Sequence, residues 1–168
     1  MQPQAWQSAL ELVLVELEAE AGHAGWDQPA RLFGLVSSDL LLDTEPELAA
    51  ELGLRPGTLT AIEQDGFDVE HPLDQLLPLI EWPEGVVGAA VILERLVLPD
   101  DAGPTGASAA SGGRDPRATD VRLVVGAARD GADFAVVRVR GHEELIRQSA
   151  GEQLVPGLAK ALARSLAP

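Results

Sequence analysis

The chain reads as an α+β domain in which a sheet of about four mostly antiparallel strands packs against N- and C-terminal helices, with short helices between the first and second strands. Three observations predict it. Residues 86–98, VVGAAVILERLVL, form the longest apolar run and are rich in aliphatic and β-branched side chains. Two shorter runs of the same kind, 121–128 and 134–140, follow with a turn signal between them. Both ends of the chain carry leucines at helical spacing. The length of 168 residues suits a single domain spanning 1–168, by the prior of about 150 residues per domain. Aromatics make up only 4% and there is no Tyr, so Leu, Val and Ala must fill the core.

Near the N-terminus, Trp6, Leu10, Val13, Leu14 and Leu17 draw one apolar stripe on a helix, with Glu11, Glu16, Glu18 and Glu20 on its wetter sides. Gly22 and Gly25 end it. Pro29 makes Asp27–Pro29 a turn. Arg31–Ser37 then reads as a strand buried on both faces, where Gly34 allows a close approach or a bulge. Thr44-x-x-Glu47 has the form of a capping box with Pro46 in the first turn, which predicts a short helix from Thr44 to Leu52, stopped by Gly53. Residues 54–70 show no clear period. A second short helix from Pro72 carries Leu73, Leu76, Leu77 and Ile80, and Trp82–Gly85 launches the long strand. Residues 99–120 are dominated by Gly, Ala, Ser, Pro and Asp and read as a flexible low-complexity connection within the domain.

The next two strands form a hairpin if Arg129-Asp130-Gly131 is a three-residue loop with Gly131 left-handed. Val121, Leu123, Val125 and Ala127 then share a buried face with Ala135, Val137 and Val139. On the other face Arg122 lies opposite Arg138, and Arg140 opposite Asp120. Together with strand 86–98 this is a meander; the place of strand 31–37 in the sheet stays open. The last helix, 154–166, repeats Leu158, Leu162 and Leu166, with Pro156 in its first turn and Lys160 and Arg164 toward its negative end.

The net charge is −15, and it is unevenly spread. Residues 1–85 hold 17 acidic and two basic side chains, Arg31 and Arg55, whereas residues 86–168 hold ten of each. Such a balance repels phosphate backbones and argues against nucleic-acid binding. Without Cys there are no disulfides, thiolate metal sites or cysteine nucleophiles. The opening residues lack a signal-peptide pattern and fall short of the ~20 apolar residues of a membrane span, so a cytoplasmic location away from membranes is expected.

No catalytic signature stands out. No Ser occupies a G-x-S-x-G elbow or an S-x-x-K motif, and the glycines never gather into a phosphate loop. His71 sits among Asp65, Asp68, Glu70 and Asp74, but Phe67 occupies a position where a calcium loop needs an oxygen ligand. His142-Glu143-Glu144 reads as the exposed end of a strand. No cofactor or metal site is therefore expected. The opposed Arg122 and Arg138 are sharper, because like charges facing each other across strands destabilise a sheet. Either Glu94 or the acidic helices of the first half neutralise them, or they form a basic patch for an anionic ligand or acidic partner. Trp26 and Trp82 each stand near a Pro and acidic residues, as tryptophans that anchor turns do; an exposed Trp would mark a binding site.

At GWDQPARLFGLV (25–36), PELAAELG (46–53), WP-x4-G-x2-VILERLVLP (82–99) and LVPGLAKAL (154–162), the chain resembles an uncharacterised family of actinobacterial proteins. The resemblance covers nearly the whole chain apart from the low-complexity segment. Its recurring positions are Trp26, Asp27, Gln28, Pro29, Glu94, Arg95 and Pro99, with Asp130 and Gly131, and it implies no activity and no catalytic residue. The expected function is that of a non-catalytic binding or adaptor protein, acting through a protein partner or by self-association as a homodimer. The alternative is a small-ligand receptor or enzyme with a pocket near Trp26, Asp27, Arg31 and the sheet arginines. The candidate binding residues are Trp26, Asp27, Gln28, Arg31, Glu94, Arg95, Arg122, Arg138 and Arg140.

Overall fold

The computed structural model describes residues 5–64, 77–97, 119–141, 145–148 and 156–167. Its centre is a six-stranded antiparallel sheet in the order β2-β1-β3-β4-β5-β6. The strands are β1 (Arg31–Ser37), β2 (Leu59–Glu63), β3 (Val86–Val97), β4 (Thr119–Ala128), β5 (Asp133–Val139) and β6 (Leu145–Gln148). Helix α1 (Gln7–Ala24) covers one face, and α4 (Pro156–Ser165) covers the other. The short helices α2 (Ser38–Thr44) and α3 (Pro46–Leu52) connect β1 to β2.

The α+β class, the meander β3-β4-β5 and the hairpin register are as the sequence indicates. Val121 faces Val139 and Arg122 faces Arg138 across β4 and β5. Gly131 is left-handed at φ 94, and the hairpin closes through the Ala128 N–H to the Ala132 carbonyl at 2.8 Å. Asp130 also accepts the Trp6 N–H at 2.8 Å, so the hairpin turn supplies the acceptor at the start of α1.

The sheet is wider than about four strands. β2 was hidden because Leu59–Glu63 run from a buried Leu59 to exposed Ile62 and Glu63 without alternating, and four-residue β6 is too short to leave a periodic signal. β1 lies between β2 and β3, which settles its place. Its register against β3 shifts between Leu35 and Val36, and Gly34 permits a close approach: a Cβ there would stand 2.9 Å from the Trp82 ring.

The predicted helix 44–52 is also corrected. Thr44 ends α2 by donating its hydroxyl to the Leu40 carbonyl at 2.8 Å instead of capping α3. Glu45 leaves helical geometry at φ −135, ψ 63, as a residue before proline is pressed to do, and α3 begins at Pro46. Ser38 is fully buried, and its hydroxyl meets those of Thr58 and Thr60 at 2.7 and 2.8 Å, tying α2 to the start of β2. Of the helix expected from Pro72, a 3-10 turn at Leu77–Leu79 lies within the described residues and 72–76 lies outside them. Of segment 99–120, Thr119 and Asp120 open β4 and the remainder lies outside; so do His71 with its neighbouring acids, and His142–Glu144.

Both faces of the sheet are dry. On one, Leu10, Leu14 and Leu17 of α1 pack on Phe33, Leu35, Val124 and Val136; on the other, Leu162 of α4 and Leu166 just beyond it pack on Leu32, Val91, Leu123 and Val137. Among the described residues no helix is long and apolar enough to cross a membrane.

Candidate functional site

The antiparallel register sorts the polar residues to two ends of the sheet. At one end, where β1 begins and β5 finishes, α1 terminates above Arg122 and Arg138. Glu18 of α1 is only 1% exposed. Its Oε2 accepts from Arg122 at 2.9 Å, and its Oε1 accepts from Arg138 Nε at 2.7 Å. One buried carboxylate thus bridges the two opposed arginines, as expected of an acidic helix; among the described residues Glu94 pairs with neither. Glu18 does not sit on a wet side of α1. It lies four residues after Leu14 and eight after Leu10, on the apolar stripe itself, and that spacing was the available sequence signal. Burial alone would push its carboxyl pKa up, but the hydrogen bonds and charges of Arg138 and Arg122 together hold it below the ordinary glutamate value.

The arginines are further tied down. Arg122, 2% exposed, stacks 4.5 Å over the Trp26 ring and donates to the Gly25 carbonyl at 2.8 Å. Arg140 lies 5.6 Å from the same ring and pairs with Asp120 at 3.0 Å and Asp27 at 3.3 Å. The Asp120 bond leads in raising its pKa. Asp27 adopts φ 66, a left-handed geometry that Asp tolerates better than most residues. The backbone N–H groups of Asp27 and Gln28 donate to Glu94 at 2.8 and 3.1 Å, so Glu94 holds the turn. Gln28 folds its amide back onto the Ala24 and Trp26 carbonyls. Arg31 makes a bidentate pair with Glu63, both contacts 2.9 Å; that hydrogen bonding is the main reason Arg31 is held charged and Glu63 is lowered.

Of the nine candidate binding residues, the structure joins Trp26, Asp27, Gln28, Glu94, Arg122, Arg138 and Arg140 into one network and sets Arg31 beside it. Arg95 points to the opposite face of β3 from Glu94 and is exposed. The hollow among Gln28, Arg31, Glu94 and Arg122 is only about 30 Å³, near the room one water occupies and far below the ~300 Å³ of a small-molecule pocket.

The larger concavities lie toward the other end, which sequence reasoning passed over. A groove of about 550 Å³ runs along Ile80, Glu81, Trp82, Glu84, Arg129 and the last turn of α4. A second, of about 170 Å³, separates Leu12 and Glu16 of α1 from Leu52–Arg55. Leu40, Leu48 and Leu52 are 43, 43 and 56% exposed on α2 and α3. Around them Asp39, Asp43, Glu45, Glu47 and Glu51 are exposed, and none joins an ion pair among the described residues. Arg55 is the only base in the whole stretch 38–58. The signal was present in the sequence as leucines alternating with acids, but whether such leucines face a core or water is decided by packing.

No curated protein and no solved structure matches the chain. The family model for PPA1309-like protein matches residues 10–167, nearly the full length on which the sequence motifs lie. That family takes its name from a protein of Propionibacterium, an actinobacterium, and carries no assigned function. The chain belongs to the PPA1309-like protein family.

Proposed function

We propose that this protein is a non-catalytic binding module whose acidic α2–α3 end docks a basic, amphipathic segment of a partner protein. The observation that carries the reading is the set of half-exposed leucines, Leu40, Leu48 and Leu52, on two helices whose exposed carboxylates join no ion pair among the described residues. Exposed apolar groups in contiguous patches mark interaction surfaces, and the surrounding charge selects the sign of the partner. A second copy of this chain would bring acid against acid, so complementarity favours a different, cationic partner over self-association. The sheet arginines, by contrast, satisfy themselves within the chain.

The test is calorimetric titration with a synthetic helical peptide of leucines and lysines, beside a control in which glutamates replace the lysines. Burying the exposed half of two leucines contributes about 1 kcal/mol each. Replacing Leu48→Ser/Leu52→Ser should therefore weaken binding at least about tenfold. Raising the salt should weaken it further. Equal binding of the acidic peptide, or an unchanged affinity in the double variant, would refute the proposal.

A further inference from the structure

The 550 Å³ groove has a more definite chemistry than the leucine surface. Its wall is Trp82, locked from two sides. The indole N–H donates to the Ser165 hydroxyl at 3.0 Å, which in turn donates to the Leu162 carbonyl at 2.7 Å. The ring also packs on Gly34, where any Cβ would collide with it. Half-buried, Trp82 still lines the groove, and the exposed Glu81 and Glu84 flank it. Ser165 at the end of α4, with Leu166 and Ala167 just beyond it, forms another wall and brings the negative end of a helix dipole.

Arg129 also borders the groove, but its guanidinium is engaged with backbone, donating to the Val86 carbonyl at 2.7 Å and to the Leu166 carbonyl. It is not stacked on Trp82; the arginines over rings among the described residues are Arg31, Arg122 and Arg140. Two carboxylates and a helix C-terminus against one tethered cation leave the groove negative. An aromatic face beside carboxylates suits a guanidinium, which stacks flat and forks its N–H groups to oxygen acceptors. The same set operates at the opposite end of the sheet, where Arg122 stacks on Trp26 and is held by Glu18.

We infer that the Trp82–Glu81–Glu84 groove is a pocket for an arginine side chain of the docked partner. This rests on the reading that the partner segment is basic, and it adds the residue type recognised. The test follows the Trp82 indole N–H resonance, assigned with Trp82→Phe, as N-acetyl-argininamide is added, with N-acetyl-citrullinamide and acetate as controls. The arginine probe should shift that resonance saturably, and the neutral citrulline isostere should not. Glu81 and Glu84 are exposed and join no ion pair among the described residues, so Glu81→Gln/Glu84→Gln should leave the fold intact. It should weaken the probe about tenfold, as expected for the loss of two partly exposed charge contacts. No shift, an equal shift with citrulline, or a shift with acetate in its place would overturn the inference. A leucine–lysine peptide that still binds through Leu48 and Leu52 while Trp82 ignores the arginine probe would overturn the pocket alone. A probe that binds at Trp82 when that peptide fails would overturn the docking surface and support the pocket.

Discussion

Replacing Glu18 by glutamine removes one negative charge from between two positive ones and little volume. Both oxygens of Glu18 are used, Oε2 by Arg122 and Oε1 by Arg138, so an amide nitrogen in either place sets donor against donor. Arg138 has a side chain 27% exposed and recovers part of its loss in water; Arg122, at 3%, does not. The one amide oxygen can serve only one arginine; where the nitrogen faces Arg122, that guanidinium keeps only the Gly25 carbonyl and the Trp26 ring. Breaking a buried pair in this way costs about 3–5 kcal/mol. That is a large share of the roughly 5–15 kcal/mol that stabilises a typical domain. At roughly 2–4 °C per kcal/mol for a chain of this size, Glu18→Gln should melt about 6–20 °C below wild type. Urea unfolding followed by circular dichroism gives the free energy directly. The triple variant Glu18→Leu/Arg122→Met/Arg138→Met serves as the control, because apolar replacement of a whole buried ion cluster is often neutral or stabilising. It should return to within about 1 kcal/mol of wild type. A Glu18→Gln loss below about 1 kcal/mol, the range of a surface pair, would refute the argument that this triad is a buried electrostatic unit. A triple variant as unstable as the single one would refute it too.

Two further outcomes follow from the same geometry. Because the folded-state pKa of Glu18 is depressed, its contribution is complete above the ordinary glutamate value of 4.5 and is lost as pH falls through the lower folded value. Acid titration of wild-type stability should fall more steeply in that window than the titration of the triple variant, and parallel curves would contradict the assignment. At the glycines, Gly88→Ala should destabilise more than Gly126→Ala in chemical denaturation. A Cβ on Gly88 meets the Ala127 backbone carbonyl at 2.8 Å, whereas on Gly126 it meets the tips of Leu14 and Leu10 at 2.9 and 3.0 Å, which can rotate aside. Overpacking of this kind costs about 1–3 kcal/mol, and the reverse order would show that the sheet yields more easily than the α1 seam.

Where periodicity was long, the sequence was legible. The stripe from Leu10 to Leu17, the run from Val86 and the alternation from Val121 to Val139 each repeat often enough to name an element, and in the hairpin to set its register. The α2–α3 break was less so, because Thr44 offers a capping pattern that only the backbone bend before Pro46 overrules. The family resemblance was carried by motifs that the structure uses as joints: Trp26–Pro29 is the turn held by Glu94, and Asp130–Gly131 is the turn that meets α1.

The charge balance, the longer elements, the meander and the facing of Arg122 and Arg138 were determined by the sequence itself, since each depends on composition or on periodic runs joined by a recognisable turn. Tertiary structure decided which carboxylate answers them, how six strands order themselves, and where the cavities open. Glu18 and Arg122 are 104 residues apart in the chain. Their meeting depends on how α1 seats over Gly126, a packing fact that no local pattern contains. The same holds for the exposed leucines of α2 and α3: their spacing is the spacing of a buried face, and only the absence of a covering layer of described chain leaves them to water.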